Sequence, residues 1–189
     1  HWNDYGAFLG YTGIVRALQD WYPQLAPRPR AAFGTSLTKP WNGDLAMMLG
    51  GIFDVTTETS EAWRPLTRVA VTDITSSVPR PSATLRYSAY QGANRQRPRV
   101  VVFHDSYLLA ADERLFPGQA LPARMHRPPT PTFRPTQLLA EQFSRSVFTW
   151  QYGFDAKLVE DEHPDLVIEE HVERQLIWGP LGAVPPTAP

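Results

Sequence analysis

The sequence predicts an α/β fold with a mainly parallel sheet, and three observations lead there. Arg99-Val100-Val101-Val102-Phe103 is a continuous β-branched run, the form taken by a parallel strand buried on both faces. Downstream, strand-like segments at 146–150 and 165–170 alternate with helix-like segments at 136–143 and 155–162. Such alternation builds parallel sheets through right-handed crossovers. Near the start, Phe8, Tyr11, Val15, Leu18 and Tyr22 recur at helical spacing and give one helix face to a core.

In chain order, Asn3 or Asp4 is placed to cap that first helix, which is expected to stop at Pro23. Residues 23–41 hold four prolines and few periodic apolar positions, so they read as surface loop. Asn42-Gly43-Asp44 offers a turn and a cap for a short helix, Leu45 to Leu49, closed by Gly50-Gly51. Between 60 and 98 two weak strand candidates, Arg68 to Ile74 and Thr84 to Tyr90, predict an irregular or antiparallel excursion. The strand at 99–103 then ends at His104-Asp105-Ser106, with a helix expected to begin near Ser106. Residues 113–135 contain six prolines and form an insertion or lid, since loops of that length are usually functional or mobile. The organisation expected is one domain over 1–178 followed by a Pro-rich tail, 179–189.

Composition narrows the function classes. With 189 residues, 42% hydrophobic and 12% aromatic, the chain can fill a real core. A formal charge of -1 and a pI near 6.6 offer no basic field for a phosphate backbone, so nucleic acid is not expected as a partner. The absence of cysteine excludes disulfides and thiolate metal sites. No apolar run approaches the roughly 20 residues of a membrane-spanning helix, and no export signal is visible. The chain opens at His1 directly before a helix start, which reads as a piece of a longer protein.

Ser106 is the first candidate for chemistry, because it stands where the central strand gives way to a small polar cluster, and ligands gather beyond the carboxyl ends of such strands. Three segments together resemble the SGNH-hydrolase-like domain of the AlgX and AlgJ alginate O-acetyltransferases. His1-Trp2-Asn3-Asp4-Tyr5-Gly6-Ala7 is similar to the end of an Asp-x-His-Trp-x-x-x-Gly-Ala element, and Phe103-His104-Asp105-Ser106-Tyr107 to a Gly-Asp-Ser-Phe/Tyr nucleophile block. Pro164 to Leu176 resembles a late strand running into Glu-Arg-x-Leu, here Glu173-Arg174-Gln175-Leu176, and Gly43-Asp44-Leu45-Ala46 is a further similar segment. The resemblance implies a three-layer α/β/α, flavodoxin-like domain and a Ser-His-Asp triad. Ser106 becomes the nucleophile and His1 the base, while the aspartate falls two positions before His1, outside this chain. It further implies an acetyl donor, a polysaccharide substrate, a membrane-bound acyltransferase partner and a periplasmic or otherwise extracytoplasmic location. His104 departs from the family pattern, standing where the block has glycine.

A serine hydroxyl needs a neighbouring imidazole to take its proton, and the oxyanion that follows needs preorganised donors such as the N–H groups at a helix start. An acyl-Ser106 intermediate passed to water makes an esterase; passed to a sugar hydroxyl it makes an O-acyltransferase. His104, Asp105, Tyr107 and Arg174 are supporting residues that orient the nucleophile or meet substrate, set against plain roles as a helix cap for Asp105 or Ser106 and an ion pair with Glu170 or Glu173 for Arg174. Trp2, Trp41, Trp63, Trp150 and Trp178 are either sugar-stacking platforms or core. His104, Asp105, His163, Asp165, Glu169, Glu170 and His171 contain no recognisable zinc spacing, so neither a metal nor another cofactor is expected. The competing reading is a catalytically inactive carbohydrate-binding or scaffold domain of a polysaccharide secretion complex, favoured by His104 and by the aspartate's place outside the chain.

Overall fold

The computed structural model describes residues 3–37, 61–79, 86–105, 108, 133–151 and 153–171. They make a mixed α/β fold whose core is mainly sheet with few helices. Two compact units are present, one drawn from residues 1–69 and 109–142, the other from 70–108 and 143–189. Among the described residues no helix is long and apolar enough to cross a membrane.

In the first unit, α1 spans Asp4–Leu18 and buries Ala7, Phe8, Tyr11, Thr12, Val15 and Leu18 along one face. Its cap is Asn3, whose Oδ1 accepts the Gly6 N–H at 2.9 Å. Asp4, the other capping candidate, accepts the Trp63 backbone N–H at 2.9 Å instead. The helix ends before Tyr22, because the Trp21 and Tyr22 N–H groups both turn back to the Leu18 carbonyl. Strands β1, Phe33–Leu37, and β2, Glu61–Pro65, pair antiparallel. Neither was legible in the sequence: β1 lies inside the proline-rich stretch, and the short Glu-Ala-Trp-Arg-Pro segment shows too little alternation. Helix α2, Pro135–Ala140, starts on a proline at its first turn, where the missing N–H costs nothing.

The core of this unit is aromatic. The Trp63 ring lies 4.9 Å from Phe8 and 5.9 Å from Phe33, and Phe133 packs on Phe33 at 5.6 Å. Trp63 is therefore core, not a sugar platform, and the Arg30 guanidinium covers its ring at 5.3 Å. Arg28 binds the irregular segments: it grips the Glu141 carboxylate with two bonds of 2.7 and 2.6 Å and donates to the Thr67 and Arg68 carbonyls at 3.0 Å.

The second unit holds a five-stranded sheet. Its strands are β3, Val71–Asp73; β4, Arg86–Gly92; β5, Arg99–His104; β6, Arg145–Trp150; and β7, Leu166–Glu169, in the spatial order β3-β4-β6-β5-β7. The β5–β6 and β5–β7 pairs are parallel, whereas β3–β4 and β4–β6 are antiparallel. The parallel half is the part read from the apolar run and the alternating elements; the antiparallel half is the excursion expected before residue 98. Helix α3, Ala156–Glu162, crosses from β6 to β7, capped by Asp155, whose Oδ1 accepts the Leu158 N–H at 3.0 Å. Leu158 packs with Ala89, Val101, Phe103 and Val147 into one side of the core. His163 ends α3 in the left-handed conformation at φ 45°, a helix-terminating role that frees Pro164 to start the return to the sheet.

At the amino ends of the parallel strands, Glu162 is clamped by Arg145 through bonds of 2.6 and 2.8 Å. Arg99 donates to the Glu162 carbonyl and lies 3.6 Å from its carboxylate. Burial, and after it the charge of the same carboxylate, pushes the Tyr87 phenol up to about 12.

Candidate functional site

Strand β5 lies between β6 and β7, and Val100, Val101, Val102 and Phe103 are all buried, which holds the carboxyl end of β5 firmly. Its side chains alternate, so Val101 and Phe103 join the α3 side while Val100, Val102 and His104 face the other way. His104 is 1% exposed and meets the Phe148 ring edge-on at 6.3 Å. Its Nδ1–H donates to the Asp105 carbonyl at 2.7 Å, which fixes the neutral tautomer with Nε2 as the basic atom. Burial pulls this imidazole down to about 4, so it is uncharged at neutral pH.

Asp105, also 1% exposed, follows directly. Its backbone N–H donates to Oε2 of Glu170 at 3.2 Å, while the Glu170 N–H donates to the Phe103 carbonyl at 2.9 Å. Two parallel strands thus end on a pair of neighbouring carboxyl-bearing residues, joined through the Asp105 backbone N–H. Glu170 is pushed up to about 7, first by burial and then by the charge of Asp105. Two carboxyl groups so placed hold one proton more readily than none. Beside them, His171 Nε2 stands 3.8 Å from Glu169 Oε2.

Of the residues the sequence singled out, His104 and Asp105 come together at this edge. Ser106, Tyr107, His1 and Arg174 lie outside the described residues, as do the short helix at 45–49, the segment 113–132, the tail, Trp2, Trp41 and Trp178. The group weighed for metal binding is divided. Asp165 pairs with Arg99 at the start of β5, accepting its N–H at 2.7 Å, and His163 ends α3, whereas Glu169, Glu170 and His171 sit at the far end of β7. Among the described residues no three His, Asp or Glu side chains are grouped to hold a metal ion. The partnership of Glu170 with Asp105 was missed. The signal lay in two strand-like segments each ending in an acidic residue, and it becomes readable only once β5 and β7 are known to run parallel in register.

No family model matches the chain, and none of the curated proteins does. Solved structures do share its fold. Bacillus cereus PatB1 bearing a sulfonyl adduct superimposes with a TM-score of 0.60 at 14% identity, over 93% of this chain and 59% of that one. PatB1 in a second structure gives 0.56 at 13% identity, over 93% of this chain and 61% of that one. A DHHW family protein from Eubacterium siraeum gives 0.55 at 11%, over 90% of this chain and 56% of that one. The chain therefore spans about three-fifths of the length of the structures it resembles.

Proposed function

We propose that the chain is the acyl-transfer domain of an SGNH-type O-acetyltransferase or acetylesterase, with the three-layer α/β/α arrangement and an AlgX/AlgJ-like triad. The observation that supports this reading is the place of His104-Asp105 at the carboxyl edge of a buried strand flanked by two parallel neighbours, the kind of edge where α/β folds build their active sites; the proposed nucleophile Ser106 is the next residue in the sequence. The sulfonyl adduct of PatB1 supports it, because sulfonyl electrophiles are captured by activated nucleophiles. The letters of the DHHW name spell Asp-His-His-Trp, and His1-Trp2 match the last two.

In the proposed reaction the Ser106 oxygen attacks the acetyl carbonyl as the His1 imidazole takes its proton. Backbone N–H groups following Ser106 hold the tetrahedral oxyanion, and the donor's oxygen leaves with the proton returned from His1. A polysaccharide hydroxyl or water then attacks acetyl-Ser106 by the same steps in reverse. An aspartate two positions before His1 in the parent protein orients the imidazole. The polysaccharide acceptor, the acetyl donor, the membrane-bound acyltransferase partner and the extracytoplasmic location come with this family reading.

A second reading keeps the carbohydrate and drops the chemistry. The buried His104 ring, at the position of the family's glycine, favours a binding or scaffold domain. One experiment separates them: Ser106→Ala in the parent protein, assayed with an activated acetyl ester and with a sulfonyl fluoride followed by peptide mass mapping. Acyl transfer requires a loss of about 10⁴-fold in turnover and a sulfonyl mass on Ser106 that the variant lacks. Unchanged turnover overturns the enzyme reading, and an inert but polysaccharide-binding wild type establishes the second.

A further inference from the structure

Glu170 belongs to neither the proposed triad nor its substrate contacts, yet it is the side chain that holds the backbone leading to Ser106. Its Oε2 accepts the Asp105 N–H at 3.2 Å. Its own N–H is tied to the Phe103 carbonyl at 2.9 Å, so the residue is anchored to β5 by backbone and side chain together. A carboxylate held this way against Asp105, a second carboxyl group buried to 1% exposure, is a costly arrangement unless one of the two is protonated.

We propose that Glu170 is a positioning residue for acyl transfer, its protonated carboxyl donating to Asp105 while accepting the Asp105 N–H, so that a single shared proton holds the turn before Ser106 in its reactive geometry. This rests on the Ser106 reading above and adds the device that aligns it. Among the described residues, His104 on β5, neutral and turned to the Asp105 carbonyl, adjoins the pair, Glu169 and His171 flank Glu170 along the chain, and from β6 the register sets the uncharged Trp150 opposite His104. Glu170 is pushed up to about 7 by burial and by Asp105, which places loss of the shared proton near neutrality. Above that pH two carboxylates repel, and the Asp105 backbone is pushed out of place. Misplacement by about 1 Å costs roughly 10²-fold in a positioned reaction.

The test is a pH–rate profile of acetyl-ester turnover in the parent protein for wild type, Glu170→Gln, Glu170→Ala and Ser106→Ala, with melting curves for each. Gln keeps both hydrogen bonds without titrating. The inference requires Glu170→Gln to stay within about threefold of wild type at pH 6.5 and to lose the alkaline decline that wild type shows, about tenfold per pH unit above pH 7. Glu170→Ala loses about 10- to 100-fold in kcat with KM little changed. Should Glu170→Ala fail to fold, the isosteric Gln variant alone decides. A Glu170→Gln profile identical to wild type, beside an inactive Ser106→Ala, overturns the role of Glu170 and leaves the acyl-transfer reading standing. Undiminished turnover in Ser106→Ala overturns both.

Discussion

Acidification should destabilise this protein through His104, and the size of the effect follows from its burial. The imidazole is 1% exposed, donates from Nδ1 to the Asp105 carbonyl at 2.7 Å, and is held down to about 4 by the cost of burying its cation. In the unfolded chain the same group takes a proton near 6.5. Between those values the unfolded state binds more protons than the folded one, so stability is complete above about pH 6.5 and falls as pH drops toward 4. At about 1.4 kcal/mol per pH unit, the whole window removes about 3 kcal/mol. His104→Asn keeps a donor near the Nδ1 position and removes the titration, at a cost of about 1 to 2 kcal/mol at pH 7 from lost ring packing on Phe148. Glu170 works in the opposite direction over the same range, because a carboxyl with a raised folded value gains stability as pH falls; at its half-buried site solvent limits this to about 1 to 2 kcal/mol. That contribution is common to both proteins and drops out of their difference. Urea unfolding followed by tryptophan fluorescence at pH 7 and pH 4.5 is the assay. The variant should lose about 2 kcal/mol less than wild type on acidification. Equal losses refute the neutral, buried imidazole.

Glu162→Ala leaves Arg145 without the two bonds of 2.6 and 2.8 Å that hold its guanidinium, and should cost about 2 to 3 kcal/mol, with Arg145→Ala adding little on top in a double-mutant cycle; additive losses show that the pair is not coupled. Trp63→Ala should cost about 3 to 5 kcal/mol and leave polysaccharide affinity unchanged wherever the protein still folds; a selective loss of binding returns Trp63 to the surface role its residue type first suggested.

What the sequence determined by itself is what neighbouring residues decide among themselves. The apolar run 99–103 made a buried strand because four consecutive large apolar side chains cannot alternate with solvent. Asn3, one of the two capping candidates, marked the first helix start because a short side-chain oxygen reaches the N–H three residues on. The functional reading was also local, since it rests on short motifs at His1 and Ser106. What only the tertiary structure decided depends on residues far apart in the chain. Proline-rich loop signals concealed β1, because its ladder is completed by β2 from residues 61–65 and by no local propensity. Trp63 became core through Phe8 and Phe33, the latter backed by Phe133. Asp105 and Glu170, 65 residues apart, became hydrogen-bonded partners because parallel register brings the ends of β5 and β7 level, and register is set by burial across the whole sheet, not by either strand alone.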